Sequence, residues 1–303
     1  MKSMQKKIAG AVVQGGSAIS AFLIVGTVIA IMTTIIIGGH KTFSFEFLTQ
    51  APLDGMTKGG IFPAIVGTFW RVLIMSAVGV PVGTVTAIWL CEYASQKSPL
   101  TRIVRFAVNT LAGIPAIVFG LFGLGFFIQF AGVGLDHMFT PAGTIRWGQP
   151  NILWASLTMS VLTLPVVIVS VEEAIRTVPR ELREASLALG ATKLETIIKV
   201  VVPNSITGIM TGAILAIGRG AGEVAPILFT GAAYFLPHLP HSVSDQFMDL
   251  GYHIYIMTTQ SADVDATRGI QFATTMVLLL LTFSLNLVAI LMRYHLRKRT
   301  LQA

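Results

Sequence analysis

Residues 184–203 read EASLALGATKLETIIKVVVP and form a polar segment between two long apolar stretches of the chain. Gly190 stands where a helix must end and where the chain needs a residue that accepts a left-handed conformation. Thr192 and Glu195 have the spacing of a capping box, which starts a second helix, and Pro203 leads into the next apolar stretch. The segment therefore predicts a hairpin of two short helices that meet at a glycine.

The composition of the chain indicates a membrane protein. Its 303 residues are 53% hydrophobic and only 12% charged, and the mean hydropathy is +0.76. A soluble domain of this length needs more charge on its surface. The net charge of +7 argues only weakly for nucleic acid, because membrane proteins gather Lys and Arg on cytoplasmic loops. We therefore expect a lipid bilayer and no nucleic acid. The single cysteine, Cys91, excludes an internal disulfide bond and a cysteine-based metal site.

Six apolar stretches are long enough to cross a bilayer, which needs about 20 helical residues. The first follows a basic start but is too long for the apolar region of a signal peptide, so we interpret it as a retained span. The predicted fold class is an all-α membrane protein with six transmembrane helices. The predicted spans are 11–37, 61–90, 104–130, 151–171, 204–230 and 271–292.

The distribution of Lys and Arg predicts the orientation. If both termini are cytoplasmic, that side carries 15 basic residues and the opposite side carries 4, with 2 inside spans. This imbalance follows the positive-inside rule and places the 184–203 hairpin in the cytoplasm. The predicted organisation is an N-terminal helix with an external loop (1–60), a core with a cytoplasmic loop at 172–203 (61–295) and a basic cytoplasmic tail (296–303).

The hairpin also matches a known pattern, E-A-A, three residues, glycine, nine residues, I-x-L-P. Ser186 replaces the second alanine, and Val200 and Val202 replace the Ile and Leu. Over residues 55–295 the chain resembles the permease subunits of type I ATP-binding-cassette (ABC) importers. Those permeases contact their ATPase through the loop that carries this pattern. The matching positions are Glu184, Ala185, Gly190 and Pro203.

Two further segments make the resemblance more specific. Residues 113–122, GIPAIVFGLF, are similar to the stretch G-x-P-S-I-V-x-G-L-F, with Ala116 in place of serine. Residues 217–230, IGRGAGEVAPILFT, are similar to R-x-x-x-E-x-A-P-x-L-F-T. Both stretches are typical of the permeases of bacterial phosphate importers.

This resemblance implies a transporter subunit that is not itself an enzyme. It implies a sister permease, a dimer of a separate ATPase and an external phosphate-binding protein, which would meet the 231–270 segment. No cofactor is expected on this chain, since ATP and Mg²⁺ are used by the ATPase. Leu187, Leu189 and Leu194 are available to press into a groove of that partner. The residues expected to couple to the ATPase are Glu184, Ala185, Leu187, Gly190, Leu194 and Pro203.

Arg219, Glu223 and Arg71 are the predicted residues of the substrate path. Arg219 and Glu223 stand four residues apart, on one helical face near the middle of the fifth predicted span. An arginine at the centre of a membrane helix costs about 2.5–3.5 kcal/mol, so it persists where it pairs or lines a polar path. Its planar fork suits phosphate oxygens. The alternative is an ion pair that only locks the helix bundle. For Arg71, snorkelling to the interface explains the sequence about as well as substrate contact.

Motifs for catalysis or metal binding are weak or absent in the sequence. The nearest approach to a P-loop, Gly38–Thr42, has histidine where the second glycine belongs. His238 and His241 are separated by a proline, and no third metal ligand is evident. Two other functions stay open: a permease for another oxyanion such as phosphonate, sulfate or molybdate, and a membrane sensor or scaffold.

Overall fold

The computed structural model describes residues 2–141, 143–261 and 263–300 of the chain. These residues are mostly helical, and a small antiparallel hairpin pairs Pro52 with Gly59. The strands are β1 (Pro52–Leu53) and β2 (Lys58–Gly59), with a short turn of 3₁₀ helix at Asp54–Met56 between them. The helices are α1 (Lys2–Gly39), α2 (Phe45–Thr49), α3 (Phe62–Ile88), α4 (Pro99–Gly113), α5 (Ala116–Phe122), α6 (Val133–Phe139), α7 (Ile152–Arg176), α8 (Arg180–Ala188), α9 (Lys193–Thr196), α10 (Val202–Gly222), α11 (Ile227–Thr230), α12 (Leu250–Thr259) and α13 (Val264–Thr300).

Several of these helices join into longer rods through π-helical turns. Such turns extend α3 at Trp89–Tyr93, connect α5 to α6 at Gly123–Gly132 and connect α9 to α10 at Ile197–Val201. Six rods are long and apolar enough to cross a membrane, which confirms the predicted number of spans. They cover Val12–Gly39, Phe62–Tyr93, Ala116–Phe139, Ile152–Arg176, Lys193–Gly222 and Val264–Leu296.

The predicted start of the third span, at residue 104, is wrong. The structure separates α4 from α5 at Ile114 and Pro115, both of which have extended backbone conformations. A proline disfavours the helical conformation of the residue before it and offers no N–H to the helix. Helix α4 is therefore a separate element that packs against α7, and the span begins at Ala116.

The predicted fifth span, 204–230, is wrong at both ends. At its start, α9 runs into α10, so Pro203 lies inside one continuous rod rather than before it. Pro203 is tolerated because the π-helical turn Ile197–Val201 comes just before it and already interrupts the regular α-helical hydrogen bonding of the rod. At its end, α10 stops at Gly222 and Glu223 is extended. Pro226 explains this end, since it cannot donate to the carbonyl four residues earlier.

The core is built from α3, α7 and α10, with α7 in contact with both other helices. The tight contact between α7 and α10 depends on small residues: a Cβ added at Gly208 would collide with Ala174. Helix α1 packs mainly on α13 and leaves most of its apolar surface uncovered, as expected for a lipid-facing helix. The bundle therefore has a central α3–α7–α10 unit and a peripheral α1–α13 pair.

The 231–270 segment is partly inside the bundle rather than wholly a surface lip. Its first part exposes Tyr234 and Phe235, whereas Phe247, Met248 and Leu250 are buried. Helix α12 follows and packs against α3 and α13. The buried part of this segment, at residues 247–250, lies close to the C-terminal end of α10.

Candidate functional site

The 184–203 hairpin has the predicted form of two helices that meet at Gly190. Gly190 has a φ angle of +89°, a left-handed conformation that favours glycine, and its N–H donates to the carbonyl of Leu187 at 3.0 Å. Thr192 and Glu195 make both hydrogen bonds of the capping box, which confirms the predicted start of α9. The turn between α8 and α9 is thus fixed by local bonds on both sides of the glycine.

A hydrogen bond that the sequence did not indicate joins the two short helices. The hydroxyl oxygens of Ser186 in α8 and Thr196 in α9 lie 2.9 Å apart. Ser186 is the residue that replaces the second alanine of the pattern, so the departure adds a contact within the hairpin. The hairpin is therefore braced internally, and its two helices are expected to move as one piece.

Three leucine side chains of the hairpin are exposed, whereas Ile197 and Val201 are buried. Leu189 is 90% exposed, and Leu187 and Leu194 are about half exposed. Glu184 and Ala185 are exposed as well, and Glu184 lines a cleft between α8 and the end of α3. This arrangement provides an apolar contact surface at the tip, as a partner-binding loop requires; the coupling role of these residues stays a prediction.

Arg183 fastens the hairpin to the bundle. Its guanidinium donates to Glu92 Oε1 at 3.1 Å, beyond the end of α3, and to the carbonyls of Ile175 and Val178. Only 19% of the Arg183 side chain is exposed. These partners lie at the ends of α3 and α7, so the bonds of Arg183 tie α8 to two core helices.

The second candidate site lies at the other end of the α9–α10 rod, roughly 40 Å away at 1.5 Å per residue. Arg219 occupies the last turn of α10, and Glu223 is the first residue after the helix. The interpretation that both lie on one helical face in the middle of the span is therefore wrong. The structure still brings them together, with Arg219 Nε 3.9 Å from Glu223 Oε1.

This contact leaves Arg219 largely uncommitted. A separation of 3.9 Å exceeds that of a hydrogen bond. Within the described ranges the guanidinium makes this one long ion contact, and 40% of the side chain is exposed. An arginine carries five N–H donors in a planar fork, so most of its donors remain available to a ligand.

Arg71 has the opposite environment, and the interpretation that it snorkels to the interface is wrong. Its side chain is fully buried. Nε donates to Asp249 Oδ2 at 2.8 Å, and the two terminal nitrogens donate to the carbonyls of Gly220 at 2.8 Å and Ala221 at 3.2 Å. These carbonyls belong to the last turn of α10, where the helix cannot satisfy them itself. A role for Arg71 in the substrate path stays a prediction; its contacts here are with the protein.

Asp249 connects the same network to α12. Its Oδ1 accepts hydrogen bonds from the N–H groups of Gly251 and Tyr252 and so caps that helix. Its Oδ2 accepts from Arg71 and also from the hydroxyl of Thr68 at 3.1 Å. Thr68 in turn accepts from the N–H of Leu250 at 2.8 Å. We call Thr68, Arg71 and Asp249 the Arg71 clamp; it joins α3, α10 and α12.

Sequence reasoning missed Arg183, Glu92, Asp249 and Thr68. Asp249 lies 178 positions from Arg71, and Glu92 lies 91 from Arg183, so no local spacing relates the partners. The one available signal was Asp249 itself, an acidic residue just before an apolar segment and therefore a candidate N-cap. Among the described residues, no group of three or more His, Cys, Asp or Glu is placed to hold a metal ion.

The sequence of the chain is similar to those of known membrane transport proteins. Residues 79–302 match the family described as binding-protein-dependent transport system inner membrane component. A probable ABC transporter permease protein, YqgI of Bacillus subtilis, is 32% identical over 275 residues, covering 87% of this chain and 88% of that protein. The phosphate transport system permease protein PstA 1 of Mycobacterium tuberculosis is 33% identical over 246 residues, covering 80% of this chain and 73% of its own length.

The fold is likewise found in solved structures. A chain from the crystal structure of a bacterial alginate ABC transporter, in complex with an alginate-bound periplasmic protein, superposes with a TM-score of 0.60. The match covers 93% of this chain and 92% of that one, at 15% identity. The two chains therefore share their fold over nearly their whole lengths.

Proposed function

The chain belongs to the family of binding-protein-dependent transport system inner membrane components, and on that basis we propose that it is a PstA-like permease subunit of an ATP-driven phosphate importer. Its six apolar helices and its family identify a multi-pass inner membrane protein. In the proposed complex it pairs with a sister permease. An external phosphate-binding protein delivers the substrate, and a separate ATPase supplies the energy.

Arg219 is the observation that carries the proposal of an anion path. It is a permanently charged side chain at the end of a membrane-spanning rod and is 40% exposed, and in the described part of the chain one contact of 3.9 Å holds it. A charge near the membrane is costly unless it has a function or a partner. Arg71, at the same end of α10, shows how completely this fold encloses an arginine that serves the structure.

The chemistry of the site suits a tetrahedral oxyanion. The Arg219 fork can donate two parallel hydrogen bonds to two oxygens of one phosphate group. Glu223 balances the charge of Arg219 when the path is empty, and a bound anion competes with it for the guanidinium. Because the ion contact is long, this displacement breaks no short hydrogen bond.

The 184–203 hairpin supplies the proposed link to the ATPase. Its exposed leucines form the contact surface, and Arg183 joins that surface to the ends of α3 and α7. ATP-driven closure of the ATPases would move the hairpins of the two permeases together. The movement would reach the Arg219 end through the continuous α9–α10 rod.

Uptake of labelled phosphate into liposomes that hold only the assembled transporter and the binding protein tests this function. We expect uptake that requires ATP and that sulfate, molybdate and phosphonate do not inhibit at equal concentration. Arg219→Gln should abolish uptake, and Arg219→Lys should recover part of it, because an ammonium lacks the bidentate fork. Arg268→Gln is the matched control, since Arg268 has an equally long contact of 3.9 Å with Asp265 but is 69% exposed outside the α10 end.

Each outcome of this experiment discriminates between functions. Stronger inhibition by another oxyanion would assign the permease to that anion. A complex that binds the loaded binding protein but transports no anion would favour a sensor or scaffold. Full uptake in Arg219→Gln would remove Arg219 from the path.

A further inference from the structure

The Arg71 clamp fixes the backbone on which Arg219 stands. Arg71 donates to the carbonyls of Gly220 and Ala221, the two residues directly after Arg219. A helix ends with carbonyls that lack partners, and positive charge there is favourable because of the helix dipole. Here a buried guanidinium supplies both the hydrogen bonds and the charge. The last turn of α10 is thus held from outside the helix.

Among the residues that the structure describes, Arg219 has no comparable restraint of its own. Its one contact is 3.9 Å long, and Glu223 stands beyond the helix end on extended backbone. The direction of its side chain therefore depends on the rotation and length of the last turn of α10. If that turn frayed or gained a residue, Arg219 and Glu223 would change their relative positions.

We propose that Arg71, acting with Asp249 and Thr68, is the positioning residue for Arg219. The clamp determines the position from which Arg219 contacts the transported anion. This inference rests on the proposed function and assigns Arg71 a role different from that of a path residue. Arg71 contacts the backbone of α10, and Arg219 contacts the anion.

The clamp also connects the anion site to the outer segment of the chain. Asp249 caps α12 and directly follows Phe247 and Met248, which are buried against the bundle. The carbonyl of Phe247 accepts from the N–H of Ala233, close behind α11. Residues 231–249 therefore begin and end near the broken end of α10. A displacement of that segment reaches Arg219 through Asp249 and Arg71.

Four variants of the assembled transporter, one of them a matched control, test the proposal. Arg71→Lys keeps the positive charge but cannot make the three bonds of the fork. Thr68→Val removes the hydroxyl that bonds Asp249 and Leu250, and Thr68→Ser keeps it. Thr86→Val is the matched control on α3, because the Thr86 hydroxyl bonds only Val82 of its own helix. Hydrogen–deuterium exchange of the 216–223 amides and the KM for phosphate are measured on each variant.

We expect faster exchange at 216–223 and a KM raised about tenfold in Arg71→Lys, with the maximal rate per assembled complex within about twofold of the unmodified one. Thr68→Val should raise the KM about threefold. Thr68→Ser and Thr86→Val should match the unmodified protein.

A merely structural role predicts less assembled complex with an unchanged KM, and that result would overturn the inference. Unchanged exchange at 216–223 in both Arg71→Lys and Thr68→Val would overturn it too. The exchange measurement needs no substrate. If the unmodified complex transported no anion, the proposed function would be wrong. The exchange measurement would still show whether the clamp holds the last turn of α10.

Discussion

Arg71 and Arg219 lie at the same end of α10 and differ in almost everything that decides what an arginine does. Arg71 is fully buried and makes hydrogen bonds to one carboxylate and two backbone carbonyls. Arg219 is 40% exposed and, within residues 2–141, 143–261 and 263–300, has a single ion contact of 3.9 Å. Both are charged residues within apolar stretches, and the sequence analysis predicted both as residues of the substrate path. The two arginines thus differ in the number of their protein partners, and our proposal of two different roles rests on that difference.

The position of the partners explains why only the structure reveals this. The partners of Arg71 come from α10 and the start of α12, each at least 149 positions away in sequence. The partner of Arg219 stands four positions away and is visible in any reading of the sequence. A local pair of opposite charges thus attracts attention, whereas a complete but distant set of partners does not.

The largest expected effect comes from removing the enclosed arginine. Arg71→Gln leaves the buried carboxylate of Asp249 without its cation, and such a change typically costs about 3–5 kcal/mol. We expect little assembled complex in the membrane and a strongly lowered Tm of what remains, measured by fluorescence-detected gel filtration over a temperature ramp.

Arg71→Met combined with Asp249→Leu serves as the control for this prediction. Removing both charges should restore part of the complex, because the unpaired buried carboxylate is gone. If the Arg71→Gln complex were as abundant and as stable as the unmodified one, Arg71 would not differ from Arg219 in its importance for stability, and the prediction would be contradicted.

Gly190→Val tests whether ATPase coupling at one end of the α9–α10 rod can be lost without a change in phosphate binding at the other end. Valine is strained at a φ of +89°, so the second helix of the hairpin should be misdirected. We expect a folded complex that binds phosphate with unchanged affinity but whose ATPase no longer responds to loaded binding protein. ATPase assays with and without the binding protein check this, with Gly190→Asn as the milder comparison. Normal stimulation would remove the coupling role of the hairpin.

Arg183 sharpens the comparison because its environment lies between those of the other two arginines. It is 19% exposed and has several protein acceptors, so it should act by holding other protein groups in place, as Arg71 holds the end of α10, but at the ATPase end. Arg183→Gln should lower the phosphate transported per ATP several-fold and leave the KM for phosphate unchanged. Glu92→Gln should act in the same direction. A raised KM in either variant would contradict this separation of roles.

His253 provides the smallest effect, confined to acidic conditions. Burial lowers its pKa from 6.5 to about 4, so the folded protein holds it neutral. The stability that depends on this neutral form is present above pH 6.5 and is lost as the pH falls towards 4. Comparing the Tm of the complex with that of His253→Phe should show parallel behaviour above pH 6.5 and a steeper decline for the unmodified protein below it. Identical profiles would contradict the neutral assignment.

The sequence was sufficient where the determining residues are close in the chain. Gly190, Thr192 and Glu195 form the predicted turn and capping box, and the apolar stretches correctly predict six spans. The chain therefore specifies its hairpin and its number of helices through interactions within a few residues.

Two of the errors, the start of the third span and the end of the fifth, have one physical cause, which is that apolar character does not mark where a helix breaks. Pro115 and Pro226 lie inside apolar stretches and interrupt helices there, so the third span begins late and α10 ends early. The early end moves Glu223 off the helix and creates the free carbonyls that Arg71 binds. The environment of both arginines thus follows from a break that hydropathy cannot show.

The most direct test of the central claim is phosphate uptake by the double variant Arg219→Gln/Glu223→Gln, measured per assembled complex. If Arg219 is the open, anion-binding arginine, the neutral pair should assemble normally, because neither side chain is enclosed, and should transport no phosphate. If Arg219 and Glu223 only lock the bundle, the single variant Arg219→Gln should fail to assemble and the double variant should recover. Uptake by the double variant at the unmodified rate would contradict the anion-path role of Arg219.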